Sequence, residues 1–292
     1  MFRSFSQIYI LAHAIVFANQ IELAHLPNGK SSVIFAAARS VEHTVVSTTM
    51  SALARELDLS VLERDINNIL QTTGHPAPRP VTLASLPLPS TDLVHKTAEF
   101  SSKTVDHIVF NHMNRVYFYG AILATDQFPH WNWSPENYLL TSLLHDIALN
   151  PANMAATSLS FEFEGGIIAH NFLLQQGASR AVADDVTEAI IRHTNFVSGK
   201  IGVTGQLIQL GTTLDVIGAN PQLYHKQSIA EIVAKYPRLG FNQHMAKFMR
   251  DELAKKPHSH TTCLLGSGFV EKIVANEVFA EYDAGYNYVA EH

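Results

Sequence analysis

Beyond residue 91 the apolar residues of this chain recur at steps of three and four almost without a break. Nowhere is there the long alternation that a sheet demands. A chain patterned this way must bury helical stripes against one another, so the expected fold is all-α, a helical bundle. Its 292 residues suffice for one large core with an appendage. Three of the stripes carry side chains foreign to a core. His112 heads the row of Val116, Tyr119, Gly120 and Leu123. His145 and Asp146 close the apolar run of Tyr138, Leu139, Leu143 and Leu144, in a helix opened by Ser134 as cap, Pro135 and the early acid Glu136. Asp215 shares a face with Ile208 and Gly211.

An ionised carboxylate left uncompensated in an apolar core is very costly. Asp146 and Asp215 must therefore be protonated, paired with Arg or Lys, or bound to a cation. The chain has 20 Lys and Arg, yet none lies between Arg115 and Arg180, which leaves Asp146 without a local partner. Arg115, Arg180 or Arg192 could still reach in from other helices, but a divalent metal is the better reading. Composition narrows its donors. Sixteen His against the single Cys263 exclude a disulfide framework and a Cys-rich zinc module, so imidazole and carboxylate must do the binding. Two of each suit Zn²⁺, with Fe²⁺ or Mn²⁺ as alternatives. A net charge of -6 excludes a nucleic-acid binder working by bulk charge, and 47% hydrophobic residues exclude a disordered chain.

The order His112, His145-Asp146, Asp215 resembles the H…HD…D metal signature of the HD-domain superfamily, a helical metal-dependent hydrolase fold. The local strings narrow the resemblance: Asn111 to Val116, Leu143 to Ile147, Ser160 to Gly166, Thr187 to His193 and Thr212 to Asp215. Together they are similar to the fungal cyanamide hydratase branch over about residues 92–285. The resemblance implies a zinc site with His112, His145, Asp146 and Asp215 as ligands. It also implies hydration of the nitrile of cyanamide to urea and a cytoplasmic location. Two departures stand out: Leu149-Asn150-Pro151 follows the HD pair where the family has threonines, and some ninety residues precede the matched part.

Bound zinc lowers the pKa of water from ~15.7 towards ~7, and the hydroxide can attack a nitrile carbon. Charge developing on the nitrile nitrogen calls for a proton donor within reach. Glu162 and His193 are the candidates, His193 because it continues the apolar face of Val182, Val186, Ala189 and Ile190. His170, eight residues after Glu162, is expected on the same side as a third catalytic residue. His258 and His260 read as structural or pocket-edge. A phosphohydrolase is the main rival, but phosphoryl chemistry needs cationic side chains that this region lacks, so the expected partner is a small neutral molecule. A non-catalytic HD scaffold is the other rival, and homo-oligomerisation stays open.

Residues 8–18 form an apolar run after Arg3 that is too short to span a bilayer. It reads either as a secretory signal, which would send the protein out of the cell, or as an apolar helix on the body. The expected organisation is then a helical extension over 19–74, a Pro-rich connector over 75–90 and the HD domain over 91–292.

Overall fold

A computed structural model describes residues 56–74, 76–264 and 268–286. All of them belong to one compact unit, Met50–His292. The apolar run at 8–18 and the rest of the extension up to residue 55 lie outside the described residues.

The fold is all-α, as the periodicity predicts. Described residues open with a strand, β1 (Val61–Glu63), and the helix α1 (Ile66–Thr73). The Pro-rich stretch carries a single 3-10 turn, Leu83–Ser85. The body follows as α2 (Asp92–Thr104), α3 (His107–Ile122), α4 (Pro135–Leu144), α5 (Pro151–Ala156), α6 (Phe161–Gln175) and α7 (Arg180–Arg192). After β2 (Lys200–Gly202) come α8 (Val203–Ile217), α9 (Lys226–Lys235), α10 (Phe241–Lys255), α11 (Phe269–Val274) and α12 (Ala280–Asp283). One expectation changes here. A helical extension was expected over residues 19–74, but within it Val61–Glu63 pairs antiparallel with Lys200–Gly202. The backbone partners of this segment come from a distant part of the chain, and tertiary pairing overrides the local pattern.

The central crossing is formed by α3, α4 and α8, with α7 against α4 and α8, and α6 against α7. Two glycines let the first three approach. A Cβ at Gly120 would stand 2.1 Å from Tyr138 Oη, and one at Gly211 would stand 3.0 Å from the carbonyl oxygen of Val116. Into that space Tyr138 of α4 sends its hydroxyl, which donates to Val116 O of α3 at 2.8 Å and lies 3.3 Å from Leu207 O of α8. A buried phenol thus finds acceptors on both neighbouring helices. Gly120→Ala is expected to destabilise by about 1–3 kcal/mol, because the methyl must displace Tyr138 from a close-packed crossing. Thermal unfolding measures it, and an unchanged melting temperature would contradict the packing described.

Candidate metal centre and cavity

His145 and Asp146 sit just past the last turn of α4, where helix carbonyls lack intrahelical donors. The side chains around them supply the missing bonds. Ser101 of α2 donates to Leu143 O, and His145 Nδ1–H donates to Ser142 O at 2.8 Å. Ser142 Oγ donates to Met113 O at 2.6 Å, which ties the end of α4 to α3 beside His112. The sequence thus places the HD pair at a helix end fixed from three sides.

His112, His145 and Asp146 are fully buried and turn one donor atom each towards a common point. His112 Nε2 and His145 Nε2 are 3.2 Å apart. Asp146 Oδ2 lies 3.4 Å from the first and 3.2 Å from the second. Metal–ligand bonds of ~2.0–2.1 Å in a tetrahedron give edges of about 3.3 Å, so these three atoms have the spacing of one tetrahedral face. The chemistry of the donors agrees. Nδ1 of His145 faces a carbonyl, and Nδ1 of His112 faces Asp215 Oδ2 at 2.6 Å. A carbonyl or ionised carboxylate only accepts, so both Nδ1 atoms carry the proton, and each ring in its neutral form presents its lone pair at Nε2. Two such nitrogens and a carboxylate oxygen at these distances form a donor set that could hold a metal ion. Among the described residues no Lys or Arg ion pair reaches Asp146. Burial works against its charge, but His145 and His112 outweigh burial and hold its pKa far below the usual carboxylate range. The group can therefore bind a metal.

Asp215 does not join the group. It stands behind the His112 ring, on the Nδ1 side, and two fully buried guanidinium groups neutralise it. Arg115 Nη2 donates to Oδ2 at 2.8 Å and Arg238 Nη1 to Oδ1 at 2.6 Å. Burial opposes its charge as well, and Arg115, Arg238 and then His112 outweigh it to depress its pKa strongly. Of the two ways to settle a buried acid, Asp215 takes guanidinium and Asp146 takes histidine. On His112, burial disfavours the cation, but Asp146 and Asp215 on either side of the ring raise its pKa. Phe241 stacks on the same ring at 4.5 Å and holds its plane.

His193 caps the C-terminal end of α7 and adds a third imidazole to the group's edge. Its Nδ1–H donates to Ile190 O at 2.6 Å, and its Nε2 lies 3.8 Å from Asp146 Oδ1. Burial and the nearby His145 push its pKa down to about 4, so it is neutral at ordinary pH with a free Nε2 lone pair. Two other expected site residues are elsewhere. His170 is on the outer side of α6, where it pairs with Asp184 at 2.9 Å beside Arg180. Glu162 is buried, but its Oε1 accepts from His260 Nδ1 at 2.7 Å, and it does not line the cavity at the metal group. His260 is thus the structural partner of an acid that needed one.

A cavity of about 50 Å³ opens on His112, His145, Asp146 and His193. Its walls are Leu149, Phe161, Phe196, Met245, Met249 and Leu264, with Thr194, Thr212 and Thr213, and no Lys or Arg. Thr194 was not foreseen. Its hydroxyl is buried without a hydrogen-bond partner, whereas those of Thr212 and Thr213 bond to carbonyls of their own helix. Nothing in helical spacing marks it, because it lies in the loop just after His193.

The chain is 35% identical over 215 residues to the cyanamide hydratases DDI2 and DDI3 of Saccharomyces cerevisiae, covering 73% of this chain and 93% of each relative. The chain belongs to the cyanamide hydratase family. No family model matches it. Among the described residues no helix is long and apolar enough to cross a membrane. The family match agrees with the expectation drawn from the five ordered strings.

Proposed function

We propose that this protein is a metal-dependent hydratase of the HD type. It adds water to the nitrile of cyanamide, or of a closely related small neutral molecule, to give urea or the corresponding amide. The observation that carries the reading is a pair of imidazole nitrogens and a carboxylate without a Lys or Arg partner among the described residues, meeting at 3.2–3.4 Å on the wall of a small apolar cavity. At ~10–15 Å³ for each water-sized probe, the cavity's 50 Å³ suits a substrate of a few heavy atoms. Its lining offers no cation for a phosphate, which disfavours phosphomonoesters.

The proposed ligands are His112, His145 and Asp146, and zinc fits this imidazole and carboxylate set. When bound, the ion supplies a Lewis acid and acidifies a coordinated water to near neutrality. Asp215 keeps the His112 tautomer fixed, with Nδ1 protonated and Nε2 free, as an outer partner of a ligand histidine does. His193 has its lone pair on Nε2, so it acts first as a proton acceptor and not as the donor expected. A water O–H breaks, its proton goes to His193 Nε2, and the oxygen bonds to the nitrile carbon. The same proton then passes to the nitrile nitrogen, and a shift of the remaining O–H proton to nitrogen completes urea. Thr194 Oγ1 is the open polar atom that can orient the amino group of cyanamide. The apolar walls keep bulk water from competing for it. Glu162 and His170 have no part in this scheme.

Zinc-loaded protein is expected to release urea from cyanamide and to leave p-nitrophenyl phosphate intact. Turnover of the phosphate ester without urea formation would reverse the choice.

A further inference from the structure

We propose that the segment Ser60–Arg64 is a strap that holds the loop after His193 in place, and that Arg64 is a positioning residue for the cavity wall. The strap is fastened along its length. Ser60 N–H donates to Asn132 O at 2.9 Å, and Asn132 N–H returns a bond to Ser60 Oγ at 2.8 Å. Val61, Leu62 and Glu63 pair with Gly202, Ile201 and Lys200, and Arg64 N–H donates to Gly199 O at 2.9 Å. β1 therefore grips the chain directly behind the loop that carries Thr194 and Phe196 into the cavity lining.

The Arg64 side chain reaches the loop itself. Its guanidinium lies over the Phe196 ring, 5.1 Å from the centroid, and its Nε–H donates to Gln209 Oε1 at 3.3 Å. The amide nitrogen of Gln209, in turn, donates to Arg192 O and Asn195 O, both at 2.7 Å. Gln209 is buried in α8, and Arg64 gives its carbonyl oxygen a cationic donor while its amide nitrogen holds the two carbonyls. One arginine thus fixes the amide that holds the two ends of the His193–Asn195 turn, and it covers the aromatic ring at the cavity's edge. The next residue, Val197, is 63% exposed, so the loop leaves the cavity for solvent within a single step. Such a segment has little packing of its own and depends on what clamps it.

The role of Arg64 in the cavity rests on the hydratase reading, whereas the strap does not, and the test separates them. Full-length, zinc-loaded protein and its Arg64→Ala variant are digested with chymotrypsin, and the cut after Phe196 is followed by mass spectrometry. Losing a cation–π contact and a charged hydrogen bond is expected to speed that cut about tenfold. Zinc content and far-UV circular dichroism should not change, because Arg64 is partly exposed and touches no proposed ligand. With cyanamide, KM is expected to rise about fivefold while kcat stays within about twofold, since a loosened wall weakens binding and spares the reacting groups. An unchanged cutting rate overturns the strap whatever the activity. Faster cutting with KM unchanged overturns the positioning role. No urea from the unmodified protein would sink the hydratase reading and leave the cutting experiment to decide on the strap.

Discussion

His145→Ala is expected to empty the metal centre and abolish urea formation. The alanine removes one of three donor atoms and also the Nδ1–H that closes the end of α4 at Ser142 O. Losing an outer partner of a ligand histidine costs roughly 10–100-fold in metal affinity, so losing the ligand itself should cost more than ~100-fold. Elemental analysis after gel filtration should find well under one metal per chain, and the urea assay should fall to background. Full metal content with retained turnover would reject the centre. The fold should survive, since Ser101 still holds Leu143 O and the cavity left beside α4 is small.

Asp215→Asn should act on both stability and metal affinity. The aspartate is the common anion of Arg115 and Arg238, both of which have no solvent exposure. Neutralising it leaves two buried cations with only carbonyls, Asn242 and Asp283 as partners. Removing one partner of a buried charge set costs about 3–5 kcal/mol. At ~2–4 °C per kcal/mol for a domain of this size, the melting temperature should fall by roughly 6–20 °C. The asparagine can also turn its amide towards His112 Nδ1 and donate, which would move the ring proton to Nε2 and disable the donor. Zinc affinity should therefore fall by about 10–100-fold, as it does when an outer partner is lost. Calorimetry and a competitive chelator titration measure the two effects. Loss of stability with unchanged zinc affinity would show that Asp215 braces the helices and has no hold on His112.

The helices and their buried faces were legible because a period of three and four is a local property that each segment carries with it. The same property put His112, His145, Asp146 and His193 on inner faces. What periodicity cannot say is what stands across the core. The run without Lys or Arg bears on Asp146 alone and says nothing of Asp215, whose second guanidinium, Arg238, arrives from the turn before α10. His170 shows the limit of counting. Eight residues at ~100° each overshoot two full turns by about 80°, enough to carry a side chain from the core to the surface. Glu162, expected as a proton donor, is buried and partnered by His260, ninety-eight positions on, at the start of a 3-10 turn too short to show a period. The strand Val61–Glu63 was hidden because its pattern is made by a distant partner. Thr194 was hidden because an unpartnered hydroxyl is visible only once every neighbour has been placed.

Two arginines clasping one aspartate have a consequence for how the protein matures. They set the orientation of His112 from inside the folded chain, through groups that are present as soon as the helices dock. An ion bound there would thus arrive late, at a socket already shaped for it, and would not be needed to staple the bundle together. Chelation should silence the protein without unravelling it, and activity should return when metal is restored.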